Sequence, residues 1–124
     1  MARRVLIAED EPNIVTSLEF LLRQCACEVR VARDGEEALR LAAEFRPDLL
    51  LLDVMMPRKN GLEVCRGIRE NPELDRMRIV MLSARGREAE IRAGMSLGAD
   101  AYITKPFSTK ELLAQVRGLL PQES

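Results

Sequence analysis

The chain has 124 residues, 47% of them hydrophobic and 31% charged, the balance expected of one soluble globular domain over 1–124. Lysine plus arginine total 19 and aspartate plus glutamate total 20, a net charge of −1, which excludes a generic nucleic-acid or membrane-surface binder. There is no histidine, which excludes Ser-His-Asp and Cys-His catalysis, histidine-ligated metals and a phosphohistidine carrier. With no tryptophan and 3% aromatics, a base-stacking platform is not expected either.

Met1-Ala2-Arg3-Arg4 leads straight into Val5-Leu6-Ile7-Ala8, a continuous apolar run of strand length. No secretory leader is read there, and a cytoplasmic location is expected. Residues 13–24 then place Ile14, Val15, Leu18, Leu21 and Leu22 on one helical stripe. Phe20 falls off that stripe, as a partly buried packing residue or a contributor to partner docking. Cys27-Glu28-Val29-Arg30-Val31 alternates, as a strand near a sheet edge does. Cys25, Cys27 and Cys65 form no even framework, so reduced thiols are expected rather than a zinc site.

Asp34-Gly35-Glu36-Glu37 matches a capping box and opens a helix to about Phe45, with Pro47 just beyond. Leu49-Leu50-Leu51-Leu52 is a second buried strand, followed by a helix over 61–70 that Asn71-Pro72 ends. Ile79-Val80-Met81-Leu82 is a third apolar run. The next helix, 88–97, reads as poorly formed, because an interior glycine such as Gly94 costs ~1 kcal/mol. Ala101-Tyr102-Ile103 is a weaker strand. Ser108-Thr109-Lys110-Glu111 is a second capping box, and it opens a helix striped by Leu112, Leu113, Val116, Leu119 and Leu120. No apolar run approaches the ~18 residues that span a bilayer.

Strand and helix thus alternate five times, the pattern of an α/β, doubly wound, five-stranded parallel sheet with helices on both faces. Such folds bind ligands beyond the carboxyl ends of their strands, and in the order 2-1-3-4-5 strands one and three meet at the switch point. After the first strand comes Glu9-Asp10-Glu11-Pro12. Three carboxylates repel a bare phosphate and suit Mg²⁺, although a solvated acidic turn favoured by the helix dipole has the same look. Asp53 closes the all-leucine run and belongs at the mouth of the sheet, where Asp10 would face it. The fourth strand ends in Ser83 and the fifth in Lys105-Pro106. An oxygen nucleophile, a cation site, a hydroxyl and a fixed ammonium are the parts of a phosphoryl-transfer site.

With Glu9-Asp10, Asp53, Ser83 and Lys105-Pro106 in place, the sequence resembles the receiver domains of two-component response regulators, which share the CheY-like fold. The resemblance covers essentially the whole chain. It implies that Asp53 accepts a phosphoryl group from a sensor histidine kinase or phosphotransfer protein in a Mg²⁺-dependent reaction. Glu9, Asp10, Asp53 and the backbone carbonyl of Met55 would hold the ion. Ser83 would bond a phosphoryl oxygen, Lys105 would pair with its charge, Tyr102 would be the switch aromatic, and Lys105-Pro106 the cis peptide.

The departures matter too. Glu9 stands where many members carry aspartate, and Ser83 where threonine is commoner. Met55 and Arg85 cannot orient an attacking water, so a long-lived phosphoryl state is expected. The last third is most similar to the OmpR/PhoB class, implying a readout face and a possible homodimer through helix four, strand five and helix five. Ala101, Gln115, Ile91 and Leu97 stand where that class tends to carry charges, and Ile91 and Leu97 read equally as core residues. Two other readings remain: an aspartate-nucleophile phosphohydrolase, disfavoured because Met55 stands where its general acid belongs, and a phosphorylation-independent binding module.

Overall fold

The computed structural model describes residues 3–84 and 86–121. Five strands, β1 (Arg4–Ala8), β2 (Glu28–Ala32), β3 (Leu49–Asp53), β4 (Arg78–Ala84) and β5 (Ala101–Lys105), alternate with five helices. The helices are α1 (Pro12–Gln24), α2 (Gly35–Phe45), α3 (Gly61–Arg69), α4 (Glu88–Ser96) and α5 (Thr109–Leu119), and a 3-10 turn, Pro72–Leu74, precedes β4. All strand pairs are parallel, in the order β2-β1-β3-β4-β5.

The all-apolar strands follow from having two faces to bury. Side chains alternate across a strand, so Leu6, Ala8, Leu50, Leu52, Ile79 and Met81 face one layer, packed with Ala38, Leu41 and Phe45 of α2 and Val64, Cys65 and Ile68 of α3. Val5, Ile7, Leu49, Leu51, Val80, Leu82 and Ile103 face the other, against Leu18 and Leu22 of α1 and Leu112, Val116 and Leu120 around α5. β2 is an edge strand and keeps the predicted alternation, with Glu28 and Arg30 exposed.

Three local expectations need correction. Asp34 caps α2 by accepting the Glu37 N–H at 2.8 Å, but the Glu37 carboxylate reaches back to the Arg33 N–H, so the reciprocal box is not closed. At α5 only the Ser108 half of the box forms, 3.0 Å from the Glu111 N–H. The complete capping box lies at α3, between Asn60 and Glu63. Helix α4 runs unbroken through Gly94, which is buried; a Cβ there would lie 3.3 Å from Met81 Cγ and 3.6 Å from Leu62. The glycine therefore serves close packing of α4 on the sheet. Ile91 and Leu97 are half-buried, Leu97 against the α2–α3 core. Cys25, Cys27 and Cys65 form no disulfide among the described residues.

Candidate functional site

The strands run further than their apolar cores, and the added residues carry the chemistry. β3 includes Asp53, β4 includes Ser83 and β5 ends on Lys105. Parallel pairing sets Asp53 opposite Leu82 and Ser83 opposite Thr104, so these groups gather at one end of the sheet. Glu9 and Asp10 follow β1, the strand next to β3. The start of α3 closes this end from the other side. Gly61 donates its N–H to the Val54 carbonyl at 2.8 Å, and a Cβ on it would come within 2.5 Å of the Asp53 carbonyl oxygen.

Carboxylate oxygens of Glu9, Asp10 and Asp53 all lie within 4.8 Å of one another. Glu9 is fully buried, Asp53 is 6% exposed, and Asp10 opens to solvent. Lys105 Nζ donates to Glu9 Oε1 at 2.7 Å and stands 3.4 Å from Asp53 Oδ2. The other Glu9 oxygen accepts the backbone N–H groups of Asp10 at 3.1 Å and Glu11 at 3.3 Å. Asp53 Oδ1 accepts the Met55 N–H at 3.1 Å.

Two acids and one base in so small a volume divide unequally. Burial, reinforced by the hydrogen-bonded and charged Glu9 beside it, pushes the Asp53 carboxyl up to about 7, against the pull of Lys105 and the Met55 N–H. Burial acts the same way on Glu9, but hydrogen bonds from Lys105 and Asp53, the Lys105 charge and the Glu11 N–H together hold its carboxyl below the usual range. Burial would lower the Lys105 ammonium; the two carboxylates instead raise it.

The remaining predicted residues are less tightly assembled. Ser83 is buried, and its hydroxyl donates to the Ala84 carbonyl at 3.3 Å. The Lys105-Pro106 peptide is cis. Met55 is half exposed at the mouth. Tyr102 lies outward on β5, 47% exposed, beside a shallow groove of about 460 Å³ lined by Ile91, Arg92 and Met95. Arg85 lies outside the described residues. Phe20 is 63% exposed, which corrects the expectation of a partly buried packing residue.

Two site features escaped the sequence reading. One is the Glu9–Lys105 pair, whose partners are 96 residues apart. The other is the tie between the β3–α3 loop and α2, in which the Gly35 N–H meets the Pro57 carbonyl at 3.3 Å and Arg58 stands 3.4 Å from Asp34. The Asp34-Gly35 turn was visible as a cap; its loop partner was not.

A family profile described as the response regulator receiver domain matches residues 5–117. The chain belongs to that family. A response-regulator structure from Chloroflexus aurantiacus is 35% identical with a TM-score of 0.91, over 96% of this chain and 98% of that one. The receiver domain of a Pseudomonas aeruginosa sensor histidine kinase, with magnesium coordinated in its active-site cleft, is 28% identical with a TM-score of 0.87, over 96% of this chain and 98% of that one. The Vibrio cholerae chemotaxis protein CheY4 is 29% identical with a TM-score of 0.89, over 97% of this chain and all of that one.

The protein is thus a CheY-like receiver domain of two-component signalling, a signalling domain rather than an enzyme in the usual sense. Receiver domains partner with sensor histidine kinases and bind Mg²⁺ in their acidic site. This chain's donor set fits that ion: three converging carboxylates offer only hard oxygen ligands, and two of the three are buried. No helix among the described residues is long and apolar enough to cross a membrane.

Proposed function

We propose that Asp53 is the phosphoacceptor of this receiver. The single observation that carries the reading is the meeting of Asp53, Lys105 and the Glu9–Asp10 pair at one end of the sheet. An Asp53 oxygen attacks the phosphorus of a phosphohistidine on the kinase or phosphotransfer protein as the P–N bond breaks. Little covalent help is needed from the protein; positioning and charge neutralisation dominate such transfers. Asp53 is held by the Met55 N–H, which leaves its other oxygen on the Lys105 side. Lys105 pairs with the incoming charge, and the Ser83 hydroxyl turns from the Ala84 carbonyl to donate to a phosphoryl oxygen.

Glu9, Asp10, Asp53 and the Met55 carbonyl are the residues that would hold Mg²⁺, which when bound supplies charge neutralisation for the phosphoryl oxygens. Met55 offers an attacking water no hydrogen bond, and neither does Arg85 by residue type. Both support slow autodephosphorylation, with a phosphoryl state lasting minutes to hours.

The readout face is α4–β5–α5, where exposed Tyr102 and Met95 flank the groove. The similarity of the last third to the OmpR/PhoB class supports that face as a possible homodimer contact, though Ala101 and Gln115 bring no charges to it. Nucleic-acid binding is not expected of these residues. Intact mass after incubation with Mg²⁺ and a small-molecule phosphodonor tests the reading. One phosphoryl adduct is expected on the wild type and none on Asp53→Asn. Multiple-turnover donor hydrolysis without an adduct would instead favour the phosphohydrolase.

A further inference from the structure

We infer that Gly35, the first residue of α2, is a positioning residue of the Mg²⁺ site, holding the β3–α3 loop (residues 54–60) where the Met55 carbonyl can serve the ion. This rests on the receiver reading above and adds to it a residue from outside the acidic cluster. The loop leaves β3 directly after Asp53. Its two ends are fixed by the Val54 N–H on the Leu82 carbonyl at 3.0 Å and the Gly61 N–H on the Val54 carbonyl at 2.8 Å. Its middle is held from α2. The Gly35 N–H donates to the Pro57 carbonyl at 3.3 Å, and Arg58 stands 3.4 Å from Asp34 and 3.5 Å from Glu36. One Asp34 oxygen caps α2 while the other faces Arg58, so the helix start and the loop share a residue.

Those ion pairs are exposed and contribute little by themselves. The close approach of backbone carries more weight. A Cβ at position 35 would lie 2.0 Å from the Lys59 carbonyl oxygen and 2.5 Å from Lys59 Cβ. Gly35 does not lie in the left-handed region, so lack of space, and not backbone freedom, demands the glycine. Arg58, at φ 71°, turns the chain so that the Pro57 and Lys59 carbonyls on either side of it both meet Gly35. The obstacle is main chain and cannot rotate away, so a methyl group there must push loop and helix apart by about 1 Å or more. Mg²⁺ takes oxygen ligands only near about 2.0–2.1 Å in close to octahedral geometry, and a displacement of that size in the loop that carries Met55 is one the ion resists.

A matched pair of variants separates positioning from mere stability. Mg²⁺ affinity is measured by titration calorimetry on wild type, Gly35→Ala and Leu22→Ala, with a thermal melt of each. Leu22 is the control, buried in the opposite core layer near the far end of α1. Gly35→Ala should weaken binding about tenfold or more, the loss that follows when the support behind a metal ligand is removed. Leu22→Ala, although it leaves a cavity and lowers the melt, should bind within about twofold of wild type. A Gly35→Ala protein that melts lower but binds Mg²⁺ within about twofold of wild type would make the glycine merely structural and overturn the inference. An equal loss of affinity in Leu22→Ala would overturn it as well.

A measurement on the wild type decides even if Gly35→Ala fails to fold. In nuclear magnetic resonance of the isotope-labelled protein titrated with Mg²⁺, the Gly35 and Lys59 amide signals should move along the same binding curve as that of Met55, because coupling between the ion and the helix start is reciprocal. A Gly35 signal that stays in place while Met55 moves would overturn the inference. Failure of the phosphoacceptor reading is distinguishable, because it appears as a missing adduct on the wild type whatever Gly35→Ala does.

Discussion

Replacing Asp53 with asparagine should stabilise the metal-free protein, and by an amount that depends on pH. The Asp53 carboxyl is pushed up to about 7 from an ordinary 3.8 by burial and by Glu9. A carboxyl raised in the folded state favours folding fully only below its unfolded value, and that contribution is lost as pH rises through the folded value. The window is therefore about pH 4 to 7, with stability falling as pH rises. A gap of about three pH units corresponds to about 4 kcal/mol above pH 7.5, and to under about 1 kcal/mol at pH 4. Asparagine keeps the shape, cannot ionise, and gives up part of the bond from the Met55 N–H, so a net gain of about 2–3 kcal/mol is expected at pH 8.

For a domain of this size each kcal/mol moves the melting temperature by about 3–5 °C, so Asp53→Asn should melt about 6–15 °C above wild type at pH 8 in chelator. The difference should shrink towards zero by pH 4. Saturating Mg²⁺ should narrow the gap at pH 8, because a ligand that binds only the folded state stabilises the intact site more. Thermal melts at five pH values, with and without Mg²⁺, make the measurement. A variant that melts at or below wild type at pH 8 in chelator, or a gap independent of pH, would refute the electrostatic account of the site.

Asp10→Asn should also raise the metal-free melting temperature, by less, because Asp10 is open to solvent; a lower melt than wild type in chelator would count against the crowding of the three acids. Gly61→Ala should destabilise by about 2 kcal/mol or more, since its Cβ would meet the Asp53 carbonyl at 2.5 Å and backbone would have to move. Its phosphorylation rate should fall as well, and a rate unchanged from wild type would show that the Gly61 contact does not position Asp53. Met55→Asn combined with Arg85→Glu should shorten the phosphoryl lifetime several-fold, followed as decay of the adduct mass. Tyr102 is the single tyrosine in a chain without tryptophan, so ultraviolet fluorescence reports it alone. Its quenching by acrylamide should decrease on phosphorylation if the aromatic turns inward.

Order and layering were legible because they rest on short-range chemistry. Four consecutive leucines before Asp53 suit a strand covered on both faces, and the structure buries Leu49 to Leu52 completely. Acids, hydroxyl and lysine stood out because each follows such a run. What stayed hidden depends on meetings between distant segments. Nothing near Glu9 announces Lys105, and nothing near Gly94 announces Met81 and Leu62, so the glycine looked like a helix breaker when it is a packing contact. The capping boxes went wrong for a subtler reason. Asp34, Asn60 and Ser108 all cap their helices, but whether the glutamate three residues on returns to the cap depends on the incoming chain. That path allows it only at Asn60–Glu63.

The strand ends explain why this site is built to be unstable when empty of charge partners. The N–H groups of Asp10 and Glu11 satisfy half of Glu9, and Lys105 satisfies the other half, so one buried acid is quieted at the cost of its neighbour. Asp53 is left with one backbone N–H and a more distant share of the same ammonium. A carboxylate in that position is the one group at the mouth whose environment improves when positive charge arrives from outside. Binding a cation would relieve that imbalance, and in the proposed phosphoacceptor role a phosphoryl group on Asp53 would add negative charge and draw Lys105 towards it, which would tie the chemistry at Asp53 to the position of β5. Tyr102 lies on that strand, three residues before Lys105, facing the α4 groove. A shift of Lys105 towards Asp53 would therefore act on the strand that carries the exposed aromatic, a short covalent route from the acidic mouth to the proposed readout face.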